Sequence, residues 1–277
     1  MRAPAKINLW LNVVGRRADG YHLLDSLVAF ADLADEIEAS PSDRLSLSVD
    51  GPFAATLVDE ADNLVLKAAR LLAARAGVAP RVALRLGKHI PVAAGLGGGS
   101  ADAAAALRAL IDLWRVALPV EELFDLAARL GADVPMCLAG RAALASGVGE
   151  RLVPAPPLPP CAILLVNPGT PLPTPEVFAK RQGAFSPPRI LRPWTDAASF
   201  AATLAERGND LTDAAVALRP EIAQVLAFLR TSLGVLHAAM SGSGATCFAL
   251  YETPQLAARG AERVPPGWWR HAGALVG

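Results

Sequence analysis

From Lys6 to Val13 the chain alternates with a period of two: Ile7, Leu9, Leu11 and Val13 on one side, Lys6, Asn8, Trp10 and Asn12 on the other. Successive strand side chains point to opposite faces, so this pattern predicts a half-buried β-strand with a lysine and two asparagines on its polar face. The turn pair Asp19-Gly20 precedes a second strand-like run, Leu24 to Phe30, and Leu45, Leu47 and Val49 alternate with Ser46, Ser48 and Asp50 in a third. Helical spacing of apolar residues predicts helices from Leu64 to Ala76, stopped by Gly77, from Ala101 to Trp114, and from Val120 to Leu130, stopped by Gly131. Further along, Ala162 to Val166 reads as a strand, Pro220 to Leu233 as a helix, and Ala245 to Tyr251 as a strand after the turn SGSG. Strands and helices are mixed throughout and no repeat at a fixed period is visible, which predicts an α+β fold.

Residues 152–175 carry no charge, but nine prolines among them exclude a membrane-spanning helix. Within that stretch PAPPLPP, residues 154–160, reads as an extended connector. With 277 residues, enough for two separate cores, the connector predicts domains at 1–155 and 156–277.

Hydrophobic residues make up 53% of the chain, and 26 basic residues balance 26 acidic ones. That composition suits a compact protein and gives no electrostatic footprint for nucleic acid or an anionic membrane, so a small-molecule ligand is favoured. Cys137, Cys161 and Cys247 are far apart with no C-x-x-C pair, and the N-terminus has no signal-peptide pattern. Both point to a reducing cytoplasm, without a zinc site or disulfide framework.

The densest chemical signal is PVAAGLGGGSADAAAALRAL at 91–110. Gly95, Gly97, Gly98 and Gly99 allow positive φ and let backbone N–H groups converge on an anion where a helix begins, and Ser100 adds a hydroxyl. Phosphate is the natural guest, although a flexible loop before a packed helix would show some of the same residues. The loop is not a Walker A motif, which requires Gly-Lys-Ser/Thr where Gly99, Ser100 and Ala101 stand. Nor is it a dinucleotide fingerprint, because Ser100 occupies the place of the third glycine.

Two charged residues stand out beside this loop. Lys6 opens the first strand between apolar neighbours, where Lys6 and Asn8 can point the same way; most lysines near an N-terminus are merely solvated. Asp133, in LGADVPMCL, follows the helix stop Gly131, and is either a cap for the next turn or a functional carboxylate. Paired with Lys6, it would keep its charge and orient a substrate hydroxyl. His89, His237 and His271 have no metal-ligand spacing, and Trp268 and Trp269 read as cover for a core edge. Gly183 to Trp194 and Ser40 to Ala61 carry no readable motif beyond one strand.

In order along the chain, APAKINLWLNVVGRRADGYHLLDSL at 3–27, PVAAGLGGGSADAAAAL at 91–107 and MSGSGATCFAL at 240–250 resemble the galactokinase, homoserine kinase, mevalonate kinase and phosphomevalonate kinase superfamily. The segments ADNLVLKAARLL, LGADVPMCL and PLPTPEVF extend the resemblance over nearly the whole chain. The pairing of AKINL with ADGYH is similar to the branch that acts on a cytidine-bearing alcohol. The resemblance implies an N-terminal domain like a ribosomal-protein fold, a ferredoxin-like C-terminal domain and an active site in the cleft between them.

The activity so implied is ATP-dependent phosphorylation of the 2-hydroxyl of 4-diphosphocytidyl-2-C-methyl-D-erythritol in the non-mevalonate isoprenoid pathway. It implies a phosphate loop of Pro91, Val92, Ala93, Ala94, Gly95, Leu96, Gly97, Gly98, Gly99, Ser100 and Ala101, with Asn63 and Lys88 near adenine, though Asn63 equally suits a helix cap. Asp133 becomes the catalytic aspartate and Lys6 its partner. Tyr21 and His22 are implied for cytosine, Asn8 for the erythritol or diphosphate, and Thr174 for closing over the substrate. Mg²⁺, an oxygen-seeking ion that keeps several waters, would need few protein ligands; Ser100 is the candidate, with Asp102 nearby or simply complementing the helix dipole. Gly242 and Gly244 line the site or make a tight turn. The alternatives are another kinase of this superfamily with a different acceptor, a non-catalytic nucleotide-binding regulator, or an RNA-binding protein. The retention of Lys6 and Asp133 argues against the regulator, and the zero net charge against RNA.

Overall fold

The computed structural model describes residues 1–57, 63–187, 190–191 and 193–277, so Ala61 and Asp62 of ADNLVLKAARLL lie outside the described residues. Two compact units are present, both discontinuous in sequence. Strands β1 (Arg2–Arg16) and β2 (His22–Pro41) pair with each other, and each runs from one unit into the other.

The first unit comprises Met1–Lys6, Leu33–Val92 and Gly97–Gly140. Its sheet is built on the second half of β2. β3 (Ser46–Asp50) runs parallel to β4 (Val82–Gly87), and β4 runs antiparallel to β2 from Glu36↔Gly87 to Pro41↔Val82. Between β3 and β4 lies α1 (Leu64–Ala76), and after β4 come α2 (Gly98–Trp114), α3 (Val120–Leu130) and α4 (Val134–Ala139). The boundaries of α1 and α3 match the pattern-based expectation. Gly77 ends α1 in the left-handed region at φ 66°, where a residue without Cβ carries no steric penalty. α2 packs on both α1 and α4, and its buried alanines, Ala103 to Ala106, allow the close approach that larger side chains would prevent.

The second unit comprises Ile7–Asp32, Ala93–Leu96 and Arg141–Gly277. β5 (Ala143–Gly147) pairs antiparallel with the first half of β2 and with β6 (Arg151–Pro154). β7 (Ala162–Asn167) is followed by α5 (Thr174–Lys180), α6 (Ala197–Arg207), α7 (Thr212–Leu218) and α8 (Glu221–Arg230). β8 (Val235–Met240), β9 (Cys247–Tyr251), α9 (Pro254–Glu262) and β10 (Trp269–Val276) complete the chain. These strands form an antiparallel order β10-β7-β9-β8, with Leu275 and Val276 of β10 reaching Ala31 and Phe30 of β2. β7 is buried along its whole length, which is why Ala162 to Val166 reads as a continuous apolar run and not as an alternation. The proline-rich run 154–160 lies inside this unit, where Trp194 Nε1 donates to Pro157 O at 2.8 Å, so the compact units do not follow a single cut at residue 155.

Several local expectations change: the second strand runs from His22 to Pro41, the helix read from Pro220 to Leu233 spans Glu221–Arg230, and the strand read from Ala245 begins at Cys247. β1 is longer than the alternating segment and is buried from Ala5 to Val13, on both faces and not one. Its polar side chains tolerate this because each is paired: Lys6 with Asp133, Asn8 with Ser26, Trp10 with Asp25, Asn12 with Arg207 O and Asp210. α2 begins at Gly98, three residues before Ala101, so Gly98, Gly99 and Ser100 form its first turn. Glycine costs least at a helix end, where interior hydrogen bonding is not yet established.

Candidate active site

In the first unit, Asp133 occupies the N-cap position of α4 but makes no side-chain cap hydrogen bond. Its Oδ2 instead accepts from Lys6 Nζ at 2.8 Å. The side-chain cap read as one possibility for Asp133 is therefore not made. The side chains are 6% exposed for Lys6 and 40% for Asp133. A buried ammonium needs a counter-charge, and this one has found it; the carboxylate, held from one side, keeps an open edge for another group.

Gly97 sits on the stem of Lys6. It is the N-cap of α2 at φ +63°, and a Cβ placed on it would lie 3.0 Å from Lys6 Cε and 3.2 Å from Lys6 Cβ. Any side chain there would be strained in its backbone and would displace the lysine. Just beyond it the first turn of α2 presents the N–H groups of Gly98, Gly99 and Ser100, unpaired within the helix at the positive end of its dipole. Pro91 and Val92 are half-buried, Ala93 is exposed, and Ala94 and Leu96 are buried anchors of the loop. Ala101 closes the first turn by donating its N–H to Gly97 O at 2.9 Å.

The two residues expected near adenine have definite local roles. Asn63 caps α1, accepting from Val65 N–H at 2.9 Å. Lys88 is buried with its ammonium between Asp35 and Asp102, at 2.5 and 2.6 Å. With two carboxylates and one ammonium out of water, burial pushes the Asp102 carboxyl up to about 7, against the pull of Lys88. Asp102 thus belongs to this buried cluster, not to the helix dipole alone.

The Ser100 hydroxyl is half-buried and has no hydrogen-bond partner among the described residues. Among those residues no group of three His, Cys, Asp or Glu side chains converges as a metal cage. A lone free hydroxyl at a phosphate-type loop fits an Mg²⁺ ion held mainly by phosphate oxygens and water.

In the second unit, Asn8 is buried, its Nδ2 donating to Ser26 Oγ at 2.8 Å and its N–H to Ser241 Oγ at 3.2 Å. Ser241 Oγ in turn donates to Gly95 O at 3.0 Å. Gly95, at φ +75°, lies so close to the C-terminal glycine turn that a Cβ would stand 2.6 Å from both Ser241 O and Gly244 O. Asn209 Nδ2 holds the same turn through Met240 O and Gly242 O, both at 2.8 Å. The turn around Gly242 and Gly244 is therefore a buttress for residues 94–95.

Tyr21 is 65% exposed. His22 stacks on Phe178 of α5, centroids 5.1 Å apart and planes at 25°, and its pKa is lowered by burial, then by Arg16 and Arg181. Thr174, first residue of α5, shares a 2.8 Å hydrogen bond with Ser243. Phe178, Ser241, Asn209 and Asp35 escaped the sequence reading. Phe178 carried a faint signal as an apolar aromatic in PLPTPEVF; the others gain meaning only from partners 31 to 233 residues away. His271 pairs with Asp32 at 2.9 Å, and His237 is half-buried beside Phe248, ring centroids 6.0 Å apart.

Comparison with known proteins now decides the family. Models described as the N-terminal and C-terminal domains of GHMP kinases match residues 63–141 and 192–270. A 4-diphosphocytidyl-2-C-methyl-D-erythritol kinase of Paramagnetospirillum magneticum is 54% identical over 97% of this chain and 95% of its own. The chain belongs to the 4-diphosphocytidyl-2-C-methyl-D-erythritol kinase family of GHMP kinases. A relative of the same name from Rhodospirillum rubrum is 51% identical over 99% of this chain and 92% of its own. The crystal structure of a 4-(cytidine 5'-diphospho)-2C-methyl-D-erythritol kinase superposes with a TM-score of 0.83 at 40% identity, covering 100% of this chain and 99% of that one. A homoserine kinase from Cytophaga hutchinsonii, at 18% identity and TM-score 0.72 over 99% and 93% of the two chains, shares the fold. The two-domain GHMP kinase fold expected from the motifs is thus present, and this GHMP kinase is an ATP-dependent phosphotransferase. Among the described residues no helix is long and apolar enough to cross a membrane.

Proposed function

We propose that this chain transfers the γ-phosphoryl group of ATP to the 2-hydroxyl of 4-diphosphocytidyl-2-C-methyl-D-erythritol, giving the 2-phosphate and ADP in the non-mevalonate route to isoprenoid precursors. The observation that carries the reading is the Lys6–Asp133 pair, at 2.8 Å and packed under Gly97 at the start of α2, in a chain 54% identical to a kinase of that name.

The first-turn N–H groups of α2 and residues Pro91 to Ala101 bind the nucleotide phosphates, with Asn63 on the adenine side. Asp133 orients the 2-hydroxyl and takes its proton as the new O–P bond forms and the bond to the β-phosphate oxygen breaks. The transition state of phosphoryl transfer is loose, so placement and charge stabilisation outweigh basicity, and a carboxylate held by a lysine suffices. Lys6 keeps Asp133 ionised and adds positive charge near the transferring group. Mg²⁺, with Ser100 as protein ligand, would neutralise charge on the β- and γ-phosphates. Tyr21 and His22 receive the cytosine, with Phe178 fixing the imidazole from behind. Asn8 contacts the erythritol or diphosphate, and Thr174 closes over the substrate. The three free cysteines support a reducing, cytoplasmic setting.

ADP release measured with 4-diphosphocytidyl-2-C-methyl-D-erythritol, homoserine, mevalonate and galactose tests the acceptor. Turnover is expected with the first, and turnover only with one of the others overturns the assignment. Asp133→Asn is expected to lower kcat by at least about a hundredfold with ATP affinity retained; a kcat near the parent value would remove Asp133 from the chemistry.

A further inference from the structure

Three charged side chains in the first unit play no part in the transfer chemistry just described. Lys88 Nζ donates to Asp35 Oδ2 at 2.5 Å and to Asp102 Oδ2 at 2.6 Å, and the three side chains are only 3%, 0% and 4% exposed. Asp35 does more than pair with the lysine: its Oδ1 accepts the backbone N–H groups of His89 at 2.6 Å and Ile90 at 2.8 Å. Placing ions away from water is costly, and well-packed apolar residues of similar volume commonly serve stability as well or better. Stability alone therefore does not account for this cluster.

Its location does. Asp35 comes from β2, Lys88 to Ile90 lead from β4 into the loop at Pro91, and Asp102 lies on α2, five residues into the helix that leaves the loop. Gly98, the first residue of that helix, lies directly against the ammonium: a Cβ on it would stand 3.0 Å from Lys88 Nζ and 3.6 Å from Asp35 Oδ2. One buried charge thus ties the chain entering the loop to the helix leaving it, and the absence of a side chain at Gly98 brings the helix start down onto that charge. Among the described residues Asp102 Oδ1 is buried without a hydrogen-bond partner, and Lys88 holds this carboxylate through Oδ2.

We propose that Asp35 and Asp102, acting through Lys88, are positioning residues for the nucleotide-phosphate loop: they hold its entry and exit so that its N–H groups converge, without touching the nucleotide. The proposal rests on reading residues 91–101 as the phosphate loop. It assigns Lys88 a role through the loop it anchors, since its ammonium is already engaged by two carboxylates.

The test compares Asp102→Ala, Asp102→Asn and the loop variant Gly98→Val. The measurements are the Kd of a non-hydrolysable ATP analogue, KM for ATP, KM for the alcohol substrate, and Tm. A loop displaced by a fraction of an ångström is expected to weaken the analogue and raise KM for ATP about tenfold in Asp102→Ala. KM for the alcohol should change less than about twofold. Asp102→Asn keeps an oxygen to accept from Lys88 and should recover most of the nucleotide affinity. If Asp102→Ala lowers Tm but leaves the folded enzyme's Kd and KM for ATP unchanged while Gly98→Val raises them, the cluster is only structural and the proposal is wrong. If Gly98→Val also leaves them unchanged, the loop reading itself fails and the proposal with it. Should Asp102→Ala not fold, Asp35→Asn takes its place under the same criteria.

Discussion

Gly97→Ala tests the link between backbone and chemistry most directly. At φ +63° an alanine pays the left-handed penalty, about 1–2 kcal/mol. The new methyl group would start 3.0 Å from Lys6 Cε and 3.2 Å from Lys6 Cβ, inside ordinary carbon contact distance. Lys6 is 5% exposed, with little room to retreat, so its stem must yield by some tenths of an ångström. That shift moves Nζ against an Asp133 oxygen now 2.8 Å away. Misplacement of a catalytic group by 1 Å costs on the order of a hundredfold, so about half that displacement predicts a kcat about tenfold lower. The backbone strain predicts a Tm lower by about 5 °C. Gly99→Ala is the internal control. Gly99 has no positive φ, and its Cβ would make ordinary contact with Leu64 Cδ1 at 3.8 Å, so an alanine there should hold or raise Tm through helix propensity. Thermal melts and steady-state ADP release on both variants decide the matter. Equal Tm values for the two would refute the strain argument, and a Gly97→Ala kcat within twofold of the parent would refute the claim that Gly97 sets the position of Lys6.

Burial, and then Arg230, push the His237 imidazole down to about 4, so the unfolded chain takes up this proton below its ordinary value while the folded one resists. Stability from this group is therefore complete above about pH 6.5 and falls as pH drops toward 4, by about 2 kcal/mol between pH 7 and pH 5. Urea unfolding at both pH values should show this loss in the parent and its absence in His237→Phe; parallel losses would count against it. Arg207 is buried, reaches Asp25 Oδ2 at 2.9 Å and lies 5.0 Å from the centre of the Trp10 ring. Arg207→Ala strands a partly buried carboxylate and should destabilise by about 3 kcal/mol, with Arg207→Lys recovering less than half because it lacks the planar face; full recovery in lysine would show that charge alone matters.

The local elements were legible in the sequence because their causes are local. Leu64 to Ala76 and Val120 to Leu130 carry helical spacing and end at Gly77 and Gly131, and both helices stop where those glycines stand. Four glycines followed by Ser100 predicted a turn into a helix, and the turn does open one, though three residues sooner than alanine content suggested. The alternation of β1 was also real. What it could not reveal was that the polar face is covered too, because a lysine and two asparagines look solvent-facing until their partners are known.

Those partners are what the tertiary structure decided. Nothing near Asp133 in sequence shows its partner, which is Lys6, 127 residues away, on its Oδ2. Asp102 read equally as a neighbour of Ser100 and as a dipole complement until Asp35 and Lys88 closed around it. The sequence by itself determined most of the elements, the glycine turn that opens a helix and, through its motifs, the kinase family, since spacing, turn residues and short contiguous patterns express them. Which charges are buried together, and which carboxylate keeps an exposed edge, depends on residues distant in sequence. Only folding, by making an unpaired buried charge too costly to leave, selects those pairs.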